Sequence, residues 1–288
     1  MAGLRIPETF GPSDAAPWIE RWSRVRDAKE LAIELASASF AQPAGVALLA
    51  AGIADRRERG LATSMSTDRR DAGPWQYLQS IDFFRELDVA RTEDSARHRE
   101  EDRAVPLRPI ATLEIARTQA ELAVRCIEKQ LPELSPSPIR MARFVFEELG
   151  ANIVQHSGRA STGFGVAKAF PKLRRLQIAF ADAGVGFSSS LSRNPEFAGR
   201  IADDSEALQL ALSPHVSGVG NRATNMGFGL KLLMDFADRL SGDLWLASGT
   251  SILHRRTVAG NQRANLVRSI APWRGSFVCL DAPLPQPA

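Results

Sequence analysis

The segment EELGANIVQH, residues 147–156, constrains the fold most, because it combines a core-forming helix with a polar stripe. Its apolar residues recur at helical spacing, which indicates a helix packed against a hydrophobic core. Glu148, Asn152 and His156 occupy every fourth position. Steps of four residues drift by only ~40° around a helix, so the three side chains share one face. We therefore expect this helix at the edge of a core, with the stripe facing either solvent or a ligand.

The three residue types of the stripe suit a metal-bound phosphate ligand. An amide oxygen can ligate a hard cation such as magnesium. A carboxylate one turn earlier can orient or deprotonate a nucleophile, and an imidazole one turn later can contact a phosphate. The alternative is a helix with three polar residues at a domain surface. The triplet alone leaves both readings open, because such short patterns also arise by chance.

Two glycine-containing segments add to this pattern. DAGVG, residues 182–186, follows a predicted strand, and its acid can accept a hydrogen bond from an exocyclic amine. Gly184 and Gly186 permit a tight turn and the close approach of a flat ligand. NMGFGLKLL, residues 225–233, predicts a glycine loop opening a helix, where backbone N–H groups and the helix dipole favour an anion. Taken singly, the first is also typical of an ordinary turn and the second of a loosely capped helix.

Residues 1–91 show short apolar runs that predict alternating strands and helices. The predicted elements are a strand at 28–36, an amphipathic helix at 46–60, a strand at 61–68 and a second amphipathic helix at 73–87. Residues 92–109 are polar, charged and interrupted by proline, which predicts a linker. The first domain is therefore expected to be a small α/β unit over residues 1–91.

Residues 110–285 show a different pattern, dominated at first by long helices. The predicted elements are a helix at 113–131, a second helix ending near 156, strands at 163–170 and 175–182, a long polar segment at 187–226, a helix from about 227, and strands at 243–248, 251–259 and 276–283. The polar segment contains several glycines and is long enough to form a lid. These elements predict a second α/β domain.

Composition places the chain among ordinary soluble proteins. With 288 residues, 44% of them hydrophobic, we expect two domains, each with a sizeable core. With 36 basic and 33 acidic side chains, charge gives no argument for direct nucleic-acid binding. Cys126 and Cys279 lie far apart in apolar surroundings, which predicts buried thiols. The N-terminus lacks an apolar signal core and no apolar run reaches 18 residues, so we expect no membrane association and a cytoplasmic location.

The order of the motifs is more specific than any one of them. Over residues 110–285 it resembles the ATP-binding domain of the gyrase, heat-shock chaperone, histidine kinase and mismatch-repair superfamily, the Bergerat fold. Residues 148–156 resemble its N box, 182–186 its first glycine box and 225–230 its second, while Gly275-Ser276 is similar to its last box. The resemblance implies a two-layer α/β sandwich that binds ATP and Mg²⁺.

The resemblance also implies a role for each motif residue. Glu148 would be the general base, Asn152 the magnesium ligand and His156 a phosphate contact. Asp182 would accept the adenine amine, and Ser276 belongs to the last box, which contacts the adenine side in the family. The remaining nucleotide contacts would come from Gly184, Gly186, Gly227, Phe228, Gly229 and Leu230.

Within the superfamily, the chain resembles the anti-sigma-factor serine kinases most. Their N box also carries histidine four residues after asparagine, and the helix at 227–240 is similar to theirs. Gyrase and mismatch-repair members carry a further domain for which this sequence has no room. A histidine kinase needs a phosphoacceptor helix hairpin, and the only upstream histidine, His98, lies in a charged stretch without helical periodicity.

Residues 1–91 resemble the domain shared by sulphate transporters and anti-sigma antagonists (STAS), on fold pattern more than on specific residues. In antagonists that are phosphorylated, a serine precedes the glycine that opens the first helix. Here Ala44 precedes Gly45, so that position has no hydroxyl to phosphorylate. We therefore expect this domain to dock onto the ATPase domain or a partner protein, and not to be a substrate.

Three functions follow as hypotheses. The first is an ATP-binding signalling protein, an anti-sigma-type serine-protein kinase or ATP-dependent regulator acting on an antagonist protein or a sigma factor. The second is a catalytically silent interaction module, in which ATP orders residues 187–226 and so changes a partner surface. The third, an orphan histidine kinase, is disfavoured by the missing acceptor helix. Bergerat-fold signalling proteins are often dimers, which suggests a homodimer by analogy only.

Overall fold

The computed structural model describes residues 1–35, 38, 40–67, 73–91, 105–213, 216, 229–258 and 262–285. These residues form one four-stranded parallel sheet, one four-stranded antiparallel sheet, a two-stranded parallel pair, and helices packed around them. The prediction of a mixed α/β fold is therefore confirmed.

The elements are numbered in chain order. The strands are β1 (Ala2–Arg5), β2 (Thr9–Phe10), β3 (Glu30–Glu34), β4 (Phe40–Ala41), β5 (Ala62–Ser66), β6 (Ala90–Arg91), β7 (Phe164–Phe170), β8 (Arg175–Ala181), β9 (Asp243–Thr257) and β10 (Arg263–Pro283). The helices are α1 (Ala15–Val25), α2 (Pro43–Glu58), α3 (Gly73–Ser80), α4 (Phe83–Glu86), α5 (Leu113–Gln130), α6 (Pro136–His156), α7 (Gly186–Leu191), α8 (Asp204–Ala211) and α9 (Gly229–Arg239).

The N-terminal region, residues 1–91, is built on the parallel sheet, whose strand order is β1-β3-β5-β6. Each strand in this order is joined to the next by a segment that contains helix, as parallel neighbours require. Leu31 and Ile33 of β3 are buried and belong to one apolar cluster with Trp18 of α1 and Leu48 of α2. The alternation of strand and helix read from the sequence thus produces a parallel sheet.

The C-terminal region, residues 110–285, is built on the antiparallel sheet, whose strand order is β7-β8-β10-β9. Helices α5, α6 and α9 cover one face of this sheet, where Phe146 of α6 packs against Phe180 of β8 with ring centroids 4.6 Å apart. The opposite face carries apolar side chains such as Phe164, Trp245 and Phe277. Those side chains belong to the same buried cluster as the core of the N-terminal region, so the two regions share one continuous core.

Helix α2 lies between the two sheets and is buried from Pro43 to Arg56. The sequence predicted an amphipathic helix here, and that prediction is wrong in one respect. A helix that is apolar on every side needs a covered surface on every side, and the antiparallel sheet supplies the second one. Gln177 of β8 fixes the start of α2, because its Oε1 accepts a hydrogen bond from the Ala44 N–H at 3.1 Å.

Several other predicted elements differ from those observed. The helix expected over 73–87 is two helices, α3 and α4, separated by a turn in which Asp82 has a φ of 61°. The segment 187–226, for which the sequence predicted no helix or strand, holds most of α7 and all of α8 in its described part. The strands expected at 243–248 and 251–259 are one strand, β9, which passes through Gly249 at a φ of 54°. The predicted linker falls largely on residues 92–104, outside the described residues.

Candidate functional site

The turn at residues 182–186 is tied to three other parts of the C-terminal region. It follows β8 directly and leads into α7. The backbone N–H groups of residues 182 to 185 donate, in order, to the Ser276 carbonyl (2.9 Å), the Thr162 hydroxyl (3.0 Å), the Asp182 Oδ1 atom (2.7 Å) and the Ser157 carbonyl (2.9 Å). A turn with every one of these donors satisfied is held in one conformation.

Asp182 is buried at the bottom of this turn, with 4% of its surface exposed. Burial raises the pKa of the Asp182 carboxyl to about 6, although hydrogen bonds from Gly184 and Ser276 and the charge of Arg159 act in the opposite direction. The carboxylate therefore keeps part of its charge at neutral pH in an apolar setting. Such a group is suited to accept a hydrogen bond from a ligand N–H.

The strand that carries Ser276 approaches the turn through a glycine. Gly275 has a φ of 98°, and a Cβ atom there would lie 2.1 Å from the Asp182 carbonyl oxygen. Ser248, opposite Ser276 in β9, donates its hydroxyl to the Gly275 carbonyl at 2.9 Å and accepts the Phe187 N–H at 3.0 Å. Asp182 and Ser276, which the sequence assigned to the same side of a nucleotide, are thus in direct contact.

Gly184 and Gly186 have packing roles of their own. A Cβ atom on Gly184 would lie 2.1 Å from the Ser157 carbonyl oxygen, so this glycine lets the turn meet the end of α6. Gly186 begins α7 with a φ of 77°. Whether either glycine also approaches a ligand stays a prediction.

Helix α6 carries the polar stripe toward the same turn. His156, its last residue, has its Nδ1 atom 3.2 Å from the Ser190 hydroxyl of α7. Burial lowers the pKa of His156, and the positive charge of Arg193 lowers it further. A neutral imidazole can contact a phosphate only through a hydrogen bond and not as a cation, which narrows the role expected for His156.

Glu148 and Asn152 are half-buried on the preceding turns of α6. Burial raises the pKa of Glu148, and the neighbouring Glu147 carboxylate raises it further. Glu147 itself is paired with Arg143 at 2.8 Å. In the described part of the chain, neither the Glu148 carboxylate nor the Asn152 amide has a hydrogen-bond or ion-pair partner. A carboxylate and an amide oxygen left available on one stripe fit the donor set of a magnesium–phosphate group and a proton acceptor.

The second glycine box is described only in part. Gly229 begins α9, which packs against α6. Leu230 is partly buried and packs against the cluster formed by α5, α6 and the antiparallel sheet. Gly227 and Phe228 lie outside the described residues, and their predicted roles stay predictions.

Arg159 is a residue that the sequence analysis missed. Its guanidinium donates to the Ala183 carbonyl at 2.9 Å and forms ion pairs with Asp55 at 2.6 Å and Glu58 at 2.5 Å, both at the end of α2. A cavity of about 370 Å³ opens beside it, lined in part by Gly184 and Arg274. One signal was available, because an acid at the end of an otherwise apolar helix such as α2 predicts a buried ion pair.

No protein-family model matches the chain, and no curated protein matches it significantly. The helices in the described part of the chain are each too short or too polar to cross a membrane.

Proposed function

We propose that the chain binds Mg²⁺-ATP between α6 and the turn at 182–186 and acts as a serine-protein kinase of the anti-sigma type. The observation that carries the proposal is the buried Asp182 carboxylate, bonded by Gly184 and Ser276, in a turn that is hydrogen-bonded to the end of α6. The order of the motifs and the available side chains on the α6 stripe support it. The partner is expected to be an antagonist protein or a sigma factor.

Each residue of the site has a separate task in this proposal. Asp182 accepts the exocyclic amine of adenine, and the Asn152 amide oxygen ligates magnesium. Magnesium supplies neutralisation of the negative charge on the transferred phosphoryl group. Glu148 accepts the proton of a serine hydroxyl on the partner protein while that oxygen bonds to the γ-phosphorus and the bond to ADP breaks. The raised pKa of Glu148 brings its basicity closer to the operating pH, as a general base requires.

We expect Asn152→Ala to weaken Mg²⁺-ATP binding by at least about tenfold, because it removes a metal ligand and little else. Calorimetric titration with Mg²⁺-ATP and with Mg²⁺-ADP measures the loss. Titration with metal-free ATP in EDTA is the matched comparison, and there the variant and the wild type should agree. Arg143→Ala, an exposed change on the same helix, is the control variant. Equal Mg²⁺-ATP affinities of Asn152→Ala and wild type would remove Asn152 from the site.

We expect Glu148→Gln to slow phosphate transfer by about 10²–10⁴-fold with little change in Mg²⁺-ADP affinity, because a general base acts on the chemical step. The measurement is transfer of radiolabelled phosphate from ATP to candidate antagonist proteins. Glu121→Gln is the matched control, since Glu121 is an exposed carboxylate of α5 that also pairs with Arg143 and does not act on Glu148. Equal labelling by Glu148→Gln and wild type would contradict the assigned role.

A second candidate, a catalytically silent nucleotide-gated interaction module, is favoured by one observation. Ala44, at the position where phosphorylated antagonists carry serine, is fully buried and its N–H is bonded to Gln177. At this position the N-terminal region therefore offers no hydroxyl to the proposed ATP site. Tight Mg²⁺-ATP binding with neither hydrolysis nor transfer to any candidate partner would favour this module over the kinase.

A further inference from the structure

The end of α2 places two carboxylates against the candidate nucleotide turn. Asp55 is 3% exposed, and its Oδ1 atom pairs with Arg159 at 2.6 Å. Its Oδ2 atom pairs with Arg59 at 3.3 Å and with Arg274 at 3.6 Å. Glu58 pairs with Arg159 at 2.5 Å through one oxygen, while the other accepts the Ser161 hydroxyl at 2.5 Å. Since Arg159 belongs to the C-terminal region, these ion pairs join the two regions at this point.

Ion pairs on two sides of one guanidinium fix its orientation. The guanidinium is planar and its N–H groups form a rigid fork. In Arg159, Nη1 donates hydrogen bonds to Asp55 and to the Ala183 carbonyl, while Nε and Nη2 donate to Glu58. With both carboxylates in place, the guanidinium has little freedom to turn away from the Ala183 carbonyl.

The peptide groups on both sides of Ala183 are hydrogen-bonded to one short segment. The Ala183 N–H donates to the Thr162 hydroxyl at 3.0 Å, and the Ala183 carbonyl accepts from Arg159 at 2.9 Å. The Thr162 hydroxyl in turn donates to the Arg159 carbonyl at 2.8 Å. Residues 159–162 therefore act as one clamp on the residue that follows Asp182.

We propose that Arg159 is a positioning residue, through which Asp55 and Glu58 of α2 hold the turn at 182–185 and so aim the Asp182 carboxylate at the adenine amine. This inference rests on the proposed function for its consequence, but the clamp itself can be tested without nucleotide. Because coupling between two sites is reciprocal, bound nucleotide also strengthens the attachment of α2 to the C-terminal region.

Amide hydrogen exchange without nucleotide tests the clamp. In Arg159→Ala, exchange at Ala183, Gly184 and Val185 should rise by about tenfold, while the α5 amides keep their wild-type rates. Arg159→Lys, which keeps the charge but loses the fork, should show a smaller rise. Arg143→Ala is the matched control, because Arg143 also pairs with two carboxylates but does not touch the turn. Should Arg159→Ala fail to fold, Glu58→Gln replaces it, since it weakens the same pairing at a half-exposed position.

Mg²⁺-ADP titration of the same proteins tests whether the clamp supports nucleotide binding. We expect the ADP affinity to fall by about tenfold in Arg159→Ala and to be unchanged in Arg143→Ala. Unchanged exchange at 183–185 in Arg159→Ala, or a rise that is uniform over α5 as well, overturns the positioning role. Faster exchange at 183–185 together with unchanged ADP affinity overturns its link to the nucleotide. If the wild type binds neither ADP nor ATP while exchange still rises only at 183–185, the proposed function fails and the clamp stands.

Discussion

Asp182→Asn is expected to weaken Mg²⁺-ADP binding by about 100-fold and, at pH 8, to raise the free energy of unfolding. The first effect follows from the loss of a charge-assisted hydrogen bond to the adenine amine. The second follows from burial, which raises the pKa of Asp182 from an ordinary 3.8 to about 6. A shift of that size corresponds to about 3 kcal/mol of destabilisation by the charged form, and the amide carries no charge.

The two effects of Asp182 have opposite dependence on pH. Because the folded-state pKa is raised, its contribution to stability is fully present below pH 3.8 and is lost as pH rises through about 6. Nucleotide affinity should instead fall below about pH 6, as the carboxylate that accepts the amine becomes protonated. Urea denaturation and Mg²⁺-ADP titration at pH 5 and pH 8 measure both. The pH profile of nucleotide affinity in Asp182→Asn shows how much of the pH dependence comes from groups other than Asp182, such as the nucleotide phosphates. Identical pH profiles for the variant and the wild type would remove Asp182 as the titrating group.

Gly275→Ala is expected to destabilise the fold by roughly 3 kcal/mol or more, through two physical effects. The residue has a φ of 98°, which an L side chain rarely adopts, and its Cβ would lie 2.1 Å from the Asp182 carbonyl oxygen. Both atoms are backbone-anchored, so relief requires β10 to move away from the turn. Urea denaturation followed by circular dichroism measures the loss.

Gly199→Ala separates the two effects at Gly275. Gly199 has a φ of 77°, but a Cβ atom there would meet nothing within 4 Å. Gly199→Ala should therefore lower the free energy of unfolding by only about 1 kcal/mol, the cost of placing an L side chain at a positive φ. Equal losses of unfolding free energy in Gly275→Ala and Gly199→Ala would show that the close contact between β10 and the turn contributes little to the destabilisation.

Local periodicity predicted the elements around the site well. Helices α5 and α6 and strands β7 and β8 begin and end within a residue or two of the predicted bounds, because each has a clear apolar pattern of its own. Helix α2 was predicted as amphipathic because its short polar end masks a surface that is apolar all round. Its second apolar face is explained only by a sheet more than 100 residues away, which local pattern does not reveal.

In the site too, features with a local sequence pattern were predicted, and contacts between distant parts of the chain were not. Asp182 and Ser276 were assigned to one side of a ligand by the order of their motifs, and they are in contact. Arg159 and Asp55 were not paired, because they lie 104 residues apart. The acid at the end of the apolar α2 indicates that a buried partner exists but not which residue it is. Ion pairs of this kind depend on how two regions are oriented, which no local spacing encodes.

The shared core also limits how such a chain can change by gene recombination. Fusing residues 110–285 to a different leading domain would expose Trp245, Trp273 and Phe277 to water unless the new domain supplied apolar helices in the places of α1 and α2. It would also need an acid to meet Arg159. An exchange between genes therefore preserves the fold most readily when the two regions are transferred together.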